Sequence, residues 1–278
     1  MTEPLFEVED LTMTLRAGHG KTILRSVSVG ASAGEAIGLI GESGAGKSTT
    51  ARALLGMTPP EAAVHGTVRV LGTDVLSLRR SRLQRFRAEN VALIAQDPRA
   101  SVNPMHGIEV FLTEAMRANR NLSKAEARRR AAEALEQVGL DPEKVLRSYP
   151  HEVSGGMLQR VVIAAAVAVE PRLLIADEPS TALDVTSQAT VISLLRRVAR
   201  RTGAGLVLVT HNIEVAASVC DRLVVMRAGS VVETGTTDQV LHRPLAEYTR
   251  ALIEATRAVS GATDRDDFPG NATESAHA

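Results

Sequence analysis

The sequence predicts an α/β fold built on a largely parallel sheet. After residue 170, short apolar segments alternate with longer helical segments, which is typical of strands connected by helices. Nearer the N-terminus, the apolar strand Ala36–Ile40 leads into a glycine-rich loop and then into a helix from Lys47 to about Leu55. A strand, a glycine-rich loop and a helix in this order begin a βα unit. Both observations favour the same fold class.

The other elements follow from apolar periodicity and from turn residues. In the first part of the chain, strands are predicted at Leu5–Leu15, Ile23–Val29, Val64–Val70 and Val91–Ala95. After residue 170, strands are predicted at Leu173–Ala176, Leu206–Thr210 and Leu223–Met226. Helices are predicted between them, at Ser187–Arg200 and Ile213–Val219.

The segment between about Arg99 and Ser154 has a different character and reads as a mostly helical insertion. Ser123 is a plausible N-cap because Glu126 follows three residues later, which is the spacing of a capping box. A helix over Ala125–Val138 is therefore expected within the insertion.

Composition excludes several classes of protein. The 278 residues carry 32 basic and 32 acidic side chains, so the formal net charge is zero, which argues against binding of bulk nucleic acid. Aromatic residues make up 2% of the chain, so few side chains could stack on single-stranded bases. The core must consist of Leu, Val, Ile and Ala.

The cysteine content and the length of the apolar runs indicate the cellular compartment. Cys220 is the single cysteine of the sequence, which excludes a disulfide framework within the chain and favours a cytosolic location. We expect no signal peptide at the N-terminus. The longest apolar run, Val161–Val169, has nine residues and is too short to cross a bilayer. A membrane role would therefore require another chain to span the membrane.

The glycine-rich loop matches the pattern G-x-x-x-x-G-K-[ST] of phosphate-binding loops. It consists of Gly41, Glu42, Ser43, Gly44, Ala45, Gly46, Lys47, Ser48 and Thr49, and we call it the phosphate loop. Its glycines allow the backbone N–H groups to curl around phosphates, and the following helix adds its positive end. Lys47 is expected to reach the β- and γ-phosphates, and the Ser48 hydroxyl is expected to bind Mg²⁺.

Two acidic residues end the apolar strand that starts at Leu173. Ligands of open α/β sheets gather at the carboxyl ends of the strands, so Asp177 and Glu178 are expected beside the phosphate loop. Asp177 is placed to hold Mg²⁺, commonly through water, and Glu178 to orient or deprotonate an attacking water. Together with the phosphate loop, this pair predicts an enzyme that hydrolyses a nucleoside triphosphate.

The stretch Val153–Arg160 (Val-Ser-Gly-Gly-Met-Leu-Gln-Arg) narrows the class. It resembles the signature sequence of ABC-type ATPases and precedes the Asp177-Glu178 pair as in that family. The resemblance implies that Ser154, Gly155, Gly156 and Gln159 contact a nucleotide bound by the phosphate loop of another subunit. We call residues 153–160 the signature segment.

Three further positions match the same family. Gln96 follows the strand Val91–Ala95 and resembles the Q-loop glutamine, which senses Mg²⁺ and couples the ATP site to a membrane partner. Ala182-Leu183-Asp184 resembles the D-loop, which implies that Asp184 approaches the opposite subunit. His211 follows the strand Leu206–Thr210 and resembles the switch histidine that contacts the γ-phosphate. The resemblance thus implies four catalytic residues, namely Glu178, His211, Gln96 and Lys47, with Ser48, Gln96 and Asp177 around the metal.

The resemblance covers about residues 5–258 and implies a P-loop NTPase fold of the ABC type. Its expected parts are a RecA-like α/β core, an antiparallel β subdomain and a helical subdomain over about 97–155, within a domain spanning 1–258. Residues 259–278 are expected to form a disordered tail. ATP and Mg²⁺ are the implied cofactors, and two subunits are expected to sandwich two ATP molecules head to tail.

One position departs from the family. Where an aromatic side chain commonly stacks on adenine, the stretch Leu11–Gly20 has no aromatic residue, and Leu15 takes the equivalent place. An aliphatic contact lacks the geometric preference of stacked rings, worth about 0.5–1.5 kcal/mol beyond burial. Selectivity for the base is therefore expected to be weaker than phosphate binding.

Several stretches resemble the ATPases of peptide/nickel-type importers, among them Gln96–Pro104 and Tyr149–Glu152. This resemblance implies transmembrane permease subunits as partners, a second ATPase subunit (the same chain or a similar one) and, indirectly, an extracytoplasmic solute-binding protein. The expected location is the cytoplasmic face of the cell membrane, and no nucleic acid is expected as a partner. The cargo is left open between a peptide, nickel and a metal–chelator complex.

Alternatives to an importer ATPase are a soluble ABC ATPase that acts on ribosomes or DNA, and a small-molecule P-loop kinase. The first class usually carries two cassettes or a long coiled-coil insertion, and the chain shows neither. The second would make no use of Ser154. A basic run at Arg79, Arg80, Arg82, Arg85 and Arg87 is interpreted as the solvated face of a helix.

Overall fold

The computed structural model describes residues 4–16, 20–179 and 185–263 of the chain. The strands are β1 Pro4–Leu15, β2 Thr22–Ser32, β3 Ala36–Ile40, β4 Ala62–Val70, β5 Thr73–Asp74, β6 Val91–Ile94, β7 Leu173–Asp177, β8 Gly205–Thr210, β9 Arg222–Arg227 and β10 Ser230–Thr236. The helices are α1 Lys47–Ala53, α2 Arg80–Asn90, α3 Pro98–Ser101, α4 Ile108–Arg120, α5 Lys124–Gln137, α6 Pro142–Val145, α7 Gly155–Ala168, α8 Val185–Thr202, α9 Ile213–Ala217, α10 Thr237–His242 and α11 Glu247–Thr263.

The larger sheet of the described residues has the strand order β10-β9-β3-β8-β7-β6, and only its edge strand β10 runs antiparallel to its neighbour. Every residue of β3, β7 and β8 is buried, which explains their nearly continuous apolar sequences, because helices or the second sheet cover both faces. The predicted α/β fold with a largely parallel sheet is confirmed. The carboxyl ends of β3, β7 and β8 meet at one edge of this sheet.

The N-terminal strands form the second sheet, which is antiparallel and has the order β2-β1-β4-β5. Its inward side chains, such as Leu11, Met13 and Leu24, are fully buried and pack in one cluster with Ile37 and Leu39 of β3. Removing this much apolar surface from water fixes the small sheet against the larger one. The sheet therefore brings β2 close to the loop that follows β3.

Helices α3 to α7 follow one another between β6 and β7, and α3 to α6 lie within the segment predicted to be a helical insertion. Helix α5 starts one residue earlier than predicted, and its Ser123 Oγ accepts a hydrogen bond from the Glu126 N–H at 3.2 Å. Side chains of α4, α5 and α7 form a common apolar core that continues to the parallel sheet. Helix α7 is therefore the element through which this helical layer connects with the sheet.

The C-terminal helix α11 continues to Thr263, past residue 258, where we expected the ordered domain to end. The first residues of the expected disordered tail are thus helical, and residues 264–278 lie outside the described part. Glu233 helps to place α11, because its carboxylate accepts hydrogen bonds from the N–H groups of Leu245 and Ala246. Among the described helices, none combines the length and hydropathy that a membrane span requires.

Candidate functional site: a phosphate-binding cavity at the edge of the parallel sheet

The phosphate loop leaves β3 in a backbone path that requires glycine. Gly41 and Gly46 have φ values of +149° and +100°, which side chains rarely adopt. A Cβ on Gly41 would lie 2.1 Å from the Met226 carbonyl oxygen, so backbone of β9 occupies the space that any side chain would need. The loop is therefore held tightly against the sheet, as close backbone approach to phosphates requires.

Lys47 starts α1 and is 4% exposed. Its Nζ donates hydrogen bonds to the carbonyl oxygens of Gly41 and Glu42, both at 2.8 Å. Burial lowers the pKa of Lys47, whereas the carboxylates of Glu178 and Asp177 act in the opposite direction. The amine is thus directed along the inside of the loop, where a triphosphate would bind.

Ser48 and Asp177 join the loop to the end of β7. The Ser48 Oγ donates to Asp177 Oδ1 at 2.6 Å, and Arg52 Nη2 donates to Asp177 Oδ2 at 3.1 Å. A hydroxyl, a carboxylate and the nearby amide of Gln96 are oxygen donors of the kind that Mg²⁺ prefers. The donor set predicted from the sequence therefore fits this ion.

Glu178 lies between the ends of two other strands. Its Oε2 accepts a hydrogen bond from Gln96 Nε2 at 3.4 Å, and its Oε1 lies 3.7 Å from His211 Nδ1. Its backbone has φ +48°, a left-handed conformation that costs about 1–2 kcal/mol for a residue other than glycine. The Glu178 N–H donates to the Val209 carbonyl oxygen at 3.0 Å, which ties this strained turn to β8.

A cavity of about 620 Å³ opens over the phosphate loop, within the range of small-molecule sites. The loop residues 43–48 and Thr49, Gln96 and Glu178 line it, together with five residues that sequence analysis did not single out, namely Lys21, Thr22, Ile23, Arg25 and Ala228. Four of these five come from β2 and the residue before it. The basic side chains of Lys21 and Arg25 face a space already bordered by Lys47, so the cavity favours an anionic ligand.

Leu15 is half-buried and is not among the residues that line this cavity. Ile23, on the neighbouring strand β2, borders it instead. Of the smaller sheet, β2 thus borders this cavity beside its partner strand β1, and the base contact at Leu15 stays a prediction.

A tyrosine of α11 contacts the outer side of the phosphate loop. Tyr248 Oη accepts a hydrogen bond from the Glu42 N–H at 3.4 Å, and the Arg227 guanidinium lies 4.7 Å from the ring centroid. The cation–π contact fixes the ring at the end of β9. The C-terminal helix thus contacts the loop through residues that do not line the cavity.

Comparison with known proteins identifies the family. Residues 24–181 match the ABC transporter family. The probable D,D-dipeptide transport ATP-binding protein DdpD of Escherichia coli is 40% identical over 258 residues, which is 91% of this chain and 79% of that protein. The peptidoglycan transport ATP-binding protein YejF of Agrobacterium fabrum is 43% identical over 91% of this chain and 47% of that protein, so the chain spans about half of its length.

The chain belongs to the ABC transporter family.

Solved structures agree with this assignment. The dimeric post-hydrolysis structure of the ATP-binding cassette MJ0796 bound to ADP and Pi is 26% identical and superposes with a TM-score of 0.74, over 84% of this chain and 98% of that one. The expected ABC fold, with its parallel core, antiparallel sheet and helical region, is confirmed.

The signature segment of this ABC cassette lies apart from the cavity over the cassette's own phosphate loop. Ser154 is exposed at the start of α7, where its Oγ accepts a hydrogen bond from the Met157 N–H at 3.3 Å. A Cβ on Gly155 or Gly156 would meet no atom within 4 Å. These three residues are therefore accessible to a ligand that approaches from outside the chain.

Of the two other residues implied by the resemblance, one differs from this pattern. Gln159 is 1% exposed, so its side chain is turned into the cassette instead of outward with Ser154. The helical period explains the difference, because positions along α7 point in successively different directions. Asp184 lies outside the described residues.

Proposed function

We propose that this chain is the ATP-hydrolysing subunit of a membrane ABC importer whose cargo is a peptide. The observation that supports hydrolysis best is the position of the Glu178 carboxylate, which lies between Gln96 and His211 and lines the cavity over the phosphate loop. A carboxylate at this position acts as a base toward water, whereas simple nucleotide binding would not need one. The family supports the proposed function, and this geometry supports the proposed catalytic roles.

ATP binds with its triphosphate in the phosphate loop. The backbone N–H groups of the loop and the Lys47 amine contact the phosphate oxygens, and Lys21 and Arg25 add positive charge at the cavity wall. Mg²⁺, when bound by Ser48 and Asp177, neutralises charge on the β- and γ-phosphates. Ile23 offers an apolar contact at the side of the cavity next to β2.

In hydrolysis, the oxygen of a water forms a bond to the γ-phosphorus while the bond to the β–γ bridging oxygen breaks. Glu178 orients this water and accepts its proton, and the products are ADP and inorganic phosphate. Gln96 holds one carboxylate oxygen of Glu178. His211, on the side of the other oxygen, is 62% exposed and thus accessible to the γ-phosphate.

A second ATPase subunit completes each nucleotide site. Ser154, Gly155 and Gly156 are accessible but do not line the cavity of their own chain, so they cap a nucleotide held by the phosphate loop of the other subunit. The dimeric state of the MJ0796 cassette is consistent with this arrangement. The other subunit is a copy of this chain or a similar one.

The permease subunits dock on the helical region. A groove of about 470 Å³ lies between α3 and α4, lined by Asn103, His106, Phe111 and neighbouring residues. Met105, between Asn103 and His106 in the sequence, is 81% exposed and offers the permeases an apolar contact next to this groove. The cassette would then be a peripheral protein at the cytoplasmic face, with the solute-binding protein connected only through the permeases and nucleic acid not involved.

The name of the DdpD relative supports a peptide as cargo, since it specifies a dipeptide. Nickel and metal–chelator complexes are the other cargoes compatible with the sequence resemblance, and neither relative described above carries such a name. Uptake of a labelled dipeptide into vesicles that contain the chain, its permeases and its solute-binding protein distinguishes these cargoes. Competition by unlabelled dipeptide supports the proposal, whereas competition only by nickel contradicts it.

An ATPase assay tests the catalytic part and separates it from the alternatives. The purified chain should release phosphate from ATP without an added acceptor, and Ser154→Arg should abolish the release while nucleotide still binds. A P-loop kinase would require an acceptor and would tolerate Ser154→Arg. An ATPase of ribosomes or DNA would be stimulated by those particles and would not co-purify with permeases.

A further inference from the structure

A second cavity, of about 420 Å³, lies next to Gln96 and the Glu178-Pro179 turn. Three separate segments line it: residues 96–99 after β6, Gly155 and Gln159 at the start of α7, and Pro179 directly after Glu178. Gln96 is common to this cavity and to the one over the phosphate loop. The second cavity therefore joins the signature segment to the residues that hold the catalytic carboxylate.

Gln159 is the buried polar side chain in this lining. It is 1% exposed, and its Nε2 has no hydrogen-bond partner within the described part of the chain. A buried N–H donor without an acceptor is unfavourable, so this donor is available for a carbonyl oxygen or an ordered water in the cavity. Such a polar cavity has room for a water that bridges two groups.

Two segments that line the cavity together with Gln159 contact or adjoin Glu178. Gln96 contacts the Glu178 carboxylate directly at 3.4 Å. Pro179 follows Glu178, whose φ of +48° requires support from its surroundings. A contact from Gln159 to either segment would thus act on the carboxylate without touching the nucleotide.

We propose that Gln159 is a positioning residue for hydrolysis. Its Nε2 donates through one ordered water to the backbone of residues 96–99 or of the Glu178-Pro179 turn. The start of α7 carries Ser154 and Gln159 together, so engagement of Ser154 by the nucleotide of a second subunit is transmitted to the placement of Glu178. This inference rests on the proposed function for its effect on turnover, but the contact itself does not depend on catalysis.

The test replaces Gln159 by Met, which has nearly the same length and cannot donate a hydrogen bond. Turnover (kcat) should fall by about 10- to 100-fold, the scale expected when a reacting group is slightly misplaced. The Kd for ATP should stay within about twofold, because the phosphate loop is untouched. Thermal unfolding should occur at nearly the parental temperature, because the change removes one water-mediated hydrogen bond and keeps a side chain of similar size. Hydrogen exchange of residues 96–99 should become faster.

Gln137→Met is the matched control, because Gln137 is a partly buried amide at the end of α5, away from this cavity, and its buried Oε1 likewise has no hydrogen-bond partner among the described residues. It should leave kcat and the exchange of residues 96–99 unchanged. Adding Gln159→Met to Glu178→Gln should leave ATP-driven dimerisation intact, which separates positioning of Glu178 from loss of the signature contact.

The proposal is overturned if Gln159→Met keeps the parental kcat and exchange, or if kcat falls only together with ATP affinity and thermal stability. Gln159→Leu replaces Gln159→Met if the latter does not fold, and failure of both variants to fold overturns it as well. If the parental chain releases no phosphate but Gln159→Met still accelerates exchange of residues 96–99, the contact stands and the proposed ATPase function fails. If the parental chain is active and the variants behave like it, only this inference fails.

Discussion

The Ser48 hydroxyl donates a 2.6 Å hydrogen bond to the Asp177 carboxylate, across 129 residues of sequence. The contact joins the start of α1 to the end of β7 and aligns the two proposed metal ligands. A second bond from Arg52 orients the other carboxylate oxygen of Asp177. The proposed metal position thus depends on tertiary structure, because two distant elements would each contribute one oxygen donor.

Ser48→Ala should weaken Mg²⁺-dependent ATP hydrolysis, because it removes both a metal ligand and the partner of Asp177. We expect the Mg²⁺ concentration for half-maximal activity to rise by about 10- to 100-fold. Ser48→Thr keeps the hydroxyl and should keep the parental Mg²⁺ concentration for half-maximal activity. Ser43→Ala changes an exposed serine of the same loop and is the matched control; an equal loss in both alanine variants would contradict the metal role. The measurement is a Mg²⁺ titration of phosphate release.

Glu178→Gln should lower the rate of hydrolysis by about 10²–10⁴-fold, because the amide cannot accept the proton from water. ATP should still bind, since the phosphate loop is unchanged, and the bound ATP should hold two subunits together. Light scattering after gel filtration with Mg²⁺ and ATP measures this dimer. Exposed Glu254→Gln is the control and should keep the parental rate. A Glu178→Gln variant that hydrolyses ATP normally would refute the assignment.

The strained backbone at Glu178 predicts a difference between two inactive variants. Glu178→Gly and Glu178→Ala both lack the carboxylate, but glycine adopts φ +48° without a steric penalty. Glycine loses more entropy on folding, which offsets part of the gain. We expect the glycine variant to be more stable by about 0.5–1 kcal/mol. Urea unfolding of the pair measures this, and a less stable glycine variant would show that the turn is unstrained.

Gly41→Ala should disrupt the phosphate loop, because its Cβ would lie 2.1 Å from the Met226 carbonyl oxygen. Gly44→Ala is the matched control, since Gly44 also has positive φ (+79°) but its Cβ would meet no atom within 4 Å. We expect Gly41→Ala to be less stable than Gly44→Ala by about 1–3 kcal/mol. Denaturant unfolding and nucleotide binding check this. Equal behaviour of the two variants would contradict the close approach of β9.

The lowered pKa of Lys47 predicts how ATP affinity depends on pH. The charged amine attracts phosphate and is present below its pKa, so affinity should fall as pH rises through that value. Because burial depresses the pKa, the fall should begin at a lower pH than for a solvated lysine, whose ordinary value is 10.5. Calorimetric titration with ATP at several alkaline pH values measures this change in affinity. Lys47→Met should bind ATP weakly, and its affinity should not change with pH in this range. If ATP affinity falls with pH equally in both proteins, the titrating group is not Lys47.

Much of the site could be predicted from the sequence, because local patterns determine it. Gly41–Ser48, Asp177 and His211 each follow an apolar strand, and parallel strands bring their carboxyl ends together. The capping of α5 by Ser123 is likewise a local feature, since it depends on residues three apart.

The remaining parts depend on packing between distant segments. Lys21 and Arg25 reach the cavity only because the antiparallel sheet packs against β3, and no spacing within β2 signals this. Gln159 is buried because of the rotation of α7 against its neighbours, which the glycines of the signature segment do not reveal. The pattern of residues 227–258 gave no prediction for β10, α10 or the start of α11, so the contact between Tyr248 and the phosphate loop was also unforeseen.

The strand order of the larger sheet has a consequence for biosynthesis. Strand β3 pairs with β8 and β9, both synthesised well over a hundred residues later. A growing chain cannot complete the sheet edge near Lys47, Glu178 and His211 until β8 and β9 have left the ribosome. Such long-range pairing folds slowly and exposes apolar strands in the meantime. Nascent chains interrupted before residue 205 would consequently depend on chaperones. They would contain the phosphate loop but would lack β8, β9 and His211.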